Sequence, residues 1–148
     1  MLQRVQTIFL GAVLISSVLL LFFPFQEINS GENKFQICLW PWGLKESVNP
    51  IIWWPFCLNI IILLGFNCIL LFKKRSMQIK ISTVIALLSI ILFGSLFAFG
   101  FIDKDATLYS PHFKPLSFLP LLNSAWSVLA RTFIMKDDNL VKSADRIR

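Results

Sequence analysis

Four apolar runs, at about residues 5–23, 51–72, 81–102 and 116–134, decide what this chain can become. The first, Val5 to Phe23, is 19 residues without a charge, and a bilayer core takes roughly 20 residues of helix to cross. Hydrophobic residues make up 56% and charged residues 15% of the 148, against nearer half and a quarter in a soluble fold. Length and composition therefore agree on an integral membrane protein. Lipid offers no partner to a free backbone N–H or C=O, so each run is expected as a helix. The fold expected is an all-α membrane protein, a single four-transmembrane-helix bundle over residues 1–148.

Its sidedness follows from a basic knot between the second and third runs. Lys73, Lys74, Arg75 and Lys80 fall within eight residues, and each would cost about 2.5 to 3.5 kcal/mol at the bilayer centre. They mark a cytosolic turn. With Arg4, Arg131, Lys136, Lys142, Arg146 and Arg148 they make ten cations on the inner side, against Lys34, Lys45, Lys104 and Lys114 outside. That bias places both termini in the cytosol. The formal net charge of +6 would suggest nucleic acid in a soluble protein, but cations at membrane flanks are explained first by sidedness and anionic lipid.

The N-terminal run shares a basic start and apolar core with secretory signal peptides. It exceeds their usual core of about 7 to 15 residues and no small-residue cleavage site follows, so it is expected to stay as the first crossing. The outer loop, residues 24–50, is long for a bundle. In it Phe35, Ile37 and Leu39 alternate with polar and other residues after the turn-forming Asn29 to Asn33. This predicts a small extracytoplasmic β-hairpin, first strand Pro24 to Ile28, stable only when packed on something. Trp40, Trp42, Trp53 and Trp54 fit an interfacial belt; a ligand-stacking box is the sharper alternative. The stretch from Asp103 to Lys114, with the lone His112, is expected as a short outer connection.

Polar residues inside the runs are few. Asn59, Asn67 and Asn123 are expected to bond across to neighbouring helices, since an amide in lipid is most often packing glue. Ser82, Ala86, Ser89, Gly94 and Ala98 mark the third run as the candidate for the most buried helix, and Asn123, Ser127 and Ala130 share one face of the fourth. Arg131 is expected to snorkel to the cytosolic interface. The tail, 135–148, predicts a short amphipathic cytosolic helix with a stripe of Leu140, Ala144 and Ile147. Cys38 and Cys57 lie toward the oxidising side and form a candidate disulfide, while Cys68 is a small hydrophobe deep in the second helix.

The opening Met1-Leu2-Gln3-Arg4-Val5-Gln6-Thr7 and the closing Ser143-Ala144-Asp145-Arg146-Ile147-Arg148 resemble an uncharacterised family of four-helix inner-membrane proteins from the Bacteroidetes. The resemblance implies a bacterial inner membrane and a cytosolic end with a set partner or position. It brings no assigned activity.

No arrangement of residues names a reaction. No Ser or Cys has a plausible base beside it, no cysteine pair has metal spacing, and no Gly-rich loop cradles a phosphate. Apart from Arg131 at the interface, the runs hold no Asp, Glu, Lys, Arg or His, which argues against proton or ion coupling. Neither catalytic nor cofactor-binding nor metal residues are expected. The function expected is that of a non-enzymatic accessory or structural subunit of an inner-membrane assembly, in protein export, envelope or transport machinery. Its partners would be other inner-membrane proteins, anionic lipids, and a cytosolic protein or the ribosome. Leu140, Lys142, Ala144, Arg146, Ile147, Arg148, Lys73, Lys74 and Arg75 would carry the docking. The alternative is a lipid-binding or small-molecule permeation protein built on the three asparagines and the tryptophan rim.

Overall fold

Each apolar run becomes a helix because nothing in it competes: glycines are isolated and the prolines fall at helix starts. In the computed structural model, which describes residues 2–23, 26–30, 33–37, 53–72, 74–102 and 109–145, these are α1 (Leu2–Phe22), α2 (Trp53–Leu70), α3 (Arg75–Ile102) and α4 (Leu119–Asp145). Each helix packs on its sequence neighbours and α4 closes the ring against α1. Three of them are long and apolar enough to cross a membrane, and α2 is a shorter apolar helix.

Two boundaries differ from expectation. Helix α3 starts at Arg75, inside the basic knot, rather than near residue 81. The turn is closed by Lys74, whose N–H donates to Leu71 O at 2.9 Å and whose O accepts from Met77 at 3.0 Å and Gln78 at 3.1 Å. The tail forms no separate helix. Between Ile134 and Asp145 the sequence has neither glycine nor proline, so α4 runs on without a break.

The core is apolar around Val13, Leu20, Leu58, Ile61, Ile85, Leu92 and Leu96, with a second patch at Leu10, Cys68 and Ala130. Trp54 is only 3% exposed and belongs to this core, which corrects its expected place in an interfacial belt. Its position fits the inward register of α2, where Trp54, Leu58, Ile61, Gly65 and Cys68 are all buried at alternating steps of four and three. Helix α3 is not the most buried: α1 buries 39% of its apolar window against 33% for α3. Ser82, Ala86 and Ser89 do face inward, but Gly94 and Ala98 lie on the outer surface, because the buried stripe of α3 continues through Leu92 and Leu96 instead.

At the end of the bundle away from the α2–α3 turn lies a three-stranded antiparallel sheet in the order β2-β1-β3. Strand β1 (Gln26–Ser30) pairs with β2 (Asn33–Ile37), Ile28 opposite Phe35. The third strand, β3 (Tyr109–Phe113), falls where a short connection was expected, and it pairs with the other edge of β1, Glu27 opposite His112. Pro111 is tolerable there because β3 is an edge. The sheet is rooted by Phe113, whose ring stacks on Phe97 of α3 at 4.5 Å and 8°. Phe97 also meets Phe93 and Phe118 at 4.6 and 5.6 Å. Pro115–Phe118 then forms a single 3-10 turn leading into α4.

Candidate functional site

The turn between α2 and α3 and the projecting part of α4 come together at one end of the bundle. An α-helix leaves its last four carbonyls without partners, and α3 supplies one here: Gln78 Nε2 donates to Cys68 O at 2.8 Å. Cys68 Sγ lies 3.6 Å from Ser82 Oγ and 3.7 Å from Gln78 O. Gln78 is 5% exposed and Ser82 is fully buried, so this tie is made away from water. It fixes the angle at which the basic turn is presented.

Helix α4 is fixed to the same turn by charge. Arg75 bonds Asp137 at 3.1 Å, with the two side chains 23% and 16% exposed. The first turn of α3 contains no acid, so Asp137 brings from α4 the carboxylate that the start of α3 lacks. One turn on, Lys142 bonds Asp138 at 2.6 Å across i,i+4. On the α1 side, Phe133 stacks on Phe9 at 5.6 Å and carries Lys136 5.7 Å above its ring. Arg131 is half-buried with its Nε enclosed.

These contacts frame a cavity of about 650 Å³ lined by Phe72, Lys74, Arg75, Ser76, Met77, Asp138 and Lys142. The structure thus unites Lys74 and Arg75 of the knot with Lys142 of the tail. Lys74 is exposed and in no ion pair among the described residues. Ile134 is the last fully buried residue of α4; the 11 residues from Met135 to Asp145 carry the helix about 16 Å further. On this extension Leu140 is 57% and Val141 40% exposed. Lys73, Arg146, Ile147 and Arg148 lie outside the described residues, and for Ala144 only the backbone is described. Phe72, Met77 and Asp137 are lining or tying residues that the sequence did not single out, whereas the pair of Asp138 with Lys142 follows from their spacing of four. Asp137 could have been found beside Asp138, one turn before Lys142.

A second polar set is sealed inside the bundle. Asn123 of α4 is fully buried; its Nδ2 donates to Ser17 Oγ at 3.1 Å, and its Oδ1 accepts from Ser16 Oγ. Ser17 Oγ donates to Val13 O at 2.7 Å. Ser89 and Ser127 are also fully buried. Asn59 and Asn67 do not join this seam, contrary to the expectation of cross-helix bonds. Both are exposed, and each donates to its own helix four residues back, Asn59 to Pro55 O and Asn67 to Leu63 O, both at 2.8 Å. The inward face of α2 is already filled by large apolar residues and Gly65, so the asparagines fall on the other side. Gly65 is a packing residue the sequence analysis missed: a Cβ there would sit 3.0 Å from Leu14 Cδ2. Cys38, Trp40 and Trp42 lie outside the described residues, while Cys57 is half-buried and packed against the core.

An apolar ring of helices with a polar seam inside and a charged groove at one end defines a small helical membrane protein. The chain belongs to the family described as Domain of unknown function (DUF4293), whose model matches residues 2–147. Comparison with curated proteins gave no match.

Proposed function

We propose that this chain is a non-enzymatic subunit of a bacterial inner-membrane assembly, which docks an acidic segment of a partner protein in the groove between the basic turn and the extension of α4. The observation that carries the proposal is the groove itself, where Lys74 and Arg75 of the turn meet Lys142 of α4 beside the exposed side chains of Phe72 and Met77. Among the described residues Lys74 is in no ion pair. Exposed apolar side chains flanked by cations suit a partner that adds both apolar area and carboxylates.

The proposal includes four crossings with both termini in the cytosol. Helix α2, at 18 residues, is about 27 Å long, close to the hydrocarbon thickness of a bilayer. The start of α1, the α2–α3 turn and the end of α4 share one end, which among the described residues holds Arg4, Lys74, Arg75, Lys80, Arg131, Lys136 and Lys142, and the sheet is at the other. That charge bias supports a cytosolic groove and an extracytoplasmic sheet. Anionic headgroups would be attracted to the same cations. The alternative, a solute- or lipid-binding bundle, draws no support from the asparagines, because Asn59 and Asn67 point away from Asn123.

The test is purification of the full chain in mild detergent beside two variants, Lys74→Glu with Lys142→Glu, and a truncation after Met135. A stoichiometric partner protein is expected with the wild type and is lost from both variants, with membrane insertion unchanged. Equal recovery of the same partner from all three, or anionic lipid as the sole co-purifying species, would refute the docking role. Cysteine labelling fixes the sidedness: positions 74 and 143 should react only from the cytosol and position 30 only from outside.

A further inference from the structure

The outward face of α2 differs from the rest of the bundle's perimeter in carrying two carboxamides. Its exposed residues are Phe56, Asn59, Leu63, Phe66, Asn67 and Leu70. Positions 56, 59, 63, 66 and 70 alternate in steps of three and four, the spacing of a helix seam that packs along a second helix in a left-handed crossing, and Asn67 flanks that seam. The inward side of α2 is taken by α1 and α3, and no described residue covers the outward one.

On the perimeter of α4 the Thr132 hydroxyl spends its one hydrogen on Leu129 O at 2.7 Å. A carboxamide has two N–H donors and an acceptor oxygen, and one bond does not satisfy it. Asn59 and Asn67 each give one N–H to their own helix, which leaves on each a second N–H and the Oδ1 without a bond among the described residues. Hydrocarbon offers these groups nothing. A partner at this face must supply a donor and an acceptor at the depths of Asn59 and Asn67, within an otherwise apolar and uncharged stripe.

A second copy of the chain supplies both. Two copies inserted in the same sense are related by an axis along the membrane normal, so each Asn59 meets the other at equal depth and can exchange N–H and Oδ1 reciprocally. We propose that α2 is a homodimer interface, with two copies crossing along the 56–59–63–66–70 seam and held by hydrogen bonds from Asn59 and Asn67. This rests on the membrane placement of α2 given above and is independent of what occupies the charged groove.

The test uses the full chain in lipid vesicles, with Cys38, Cys57 and Cys68 replaced by alanine and a single cysteine introduced as Leu63→Cys or, on the exposed side of α3, Ile91→Cys. Oxidation should give a covalent dimer with the first and none with the second. Energy transfer between labelled copies, read over a series of dilutions with lipid, gives the dissociation constant. Asn59→Leu and Asn67→Leu should each weaken the dimer by roughly 3- to 30-fold for each hydrogen bond lost, and Asn59→Gln should retain it. A monomer at every dilution, equal cross-linking at Ile91→Cys, or a dimer unmoved by the double Asn59→Leu, Asn67→Leu variant would overturn the proposal. Extraction of the wild type by alkaline carbonate would instead remove the membrane placement on which it rests.

Discussion

Replacing Asn123 by alanine tests whether the buried seam is structural. The side chain is fully buried and makes two bonds to α1, one from Nδ2 to Ser17 and one from Ser16 to Oδ1. Cross-helix hydrogen bonds in membrane bundles average about 0.6 kcal/mol with a maximum near 1.7, so the two together contribute about 1 to 3 kcal/mol. Losing them strands no serine hydroxyl, because Ser17 still donates to Val13 O and Ser16 can turn to Ala12 O at 2.7 Å. The hydrogen-bond term therefore carries no extra desolvation penalty, but truncation also leaves a void, and a single variant would mix the two effects. A cycle of Asn123→Ala, Ser17→Ala and the double variant separates them. Unfolding in mixed micelles titrated with a denaturing detergent should give a coupling energy near 0.6 to 1.7 kcal/mol. A coupling energy of zero within error, or an Asn123→Ala protein as stable as the wild type, would refute the role of Asn123 in clasping α4 to α1.

Three further outcomes follow from the geometry. Asp137→Asn, which breaks the pair with Arg75, should destabilise by about 1 kcal/mol at low salt and by less at high salt, measured by thermal melting at two ionic strengths. At Gly65 the crowding atom is the end of a flexible leucine, so Gly65→Ala should stay within about 1 kcal/mol of wild type, its better helix propensity offsetting the contact, whereas Gly65→Leu should cost about 1 to 3 kcal/mol by forcing α1 from α2; the same detergent titration reads both. Phe97→Ala, which removes the ring beneath Phe113, should speed amide exchange in β3 while leaving α1 and α4 protected, and unchanged exchange in β3 would show that the sheet does not depend on that stack.

What could be known from the sequence was whatever depends on local composition. The apolar runs became helices because length and apolarity suffice for that, and Asn123, Ser127 and Ala130 are buried together because spacing on one helix fixes a shared face. What depends on a distant partner was not legible. The strand Tyr109–Phe113 alternates Tyr109, Pro111 and Phe113 with Ser110 and His112, but the central proline argues against a strand and the ladder partner β1 lies some 80 residues upstream, so the short pattern does not announce a pairing. The asparagines of α2 failed for a different reason. Polarity alone suggested that they turn inward, but the register of α2 is set by its bulk: Trp54, Leu58 and Ile61 fill the core and Gly65 lets Leu14 approach. Charge beginning at Lys136 suggests a separate tail helix, yet a helix ends at a breaker, not at a change of solvent, and α4 runs on to Asp145.

The distribution of polar groups separates what holds the bundle together from what is left for other molecules. Ser16, Ser17, Ser82, Ser89, Ser127 and the Asn123 amide on α1, α3 and α4 are enclosed, and those that bond do so with groups inside the same chain. Gln78 closes the end of α2 and Arg75 draws in Asp137, so even the basic turn spends part of its polarity on internal ties. Among the described residues that keep hydrogen-bonding or charge capacity are the two outward amides of α2 and Lys74 at the groove. The amides lie along an apolar stripe suited to a helix in lipid. Lys74 and Lys142 line the groove together with exposed Phe72 and Met77. A contact at one place does not occupy the other: α4 lies diagonally across the ring from α2, so dimerisation along α2 would leave the two α4 extensions on opposite outer flanks, each groove open by itself.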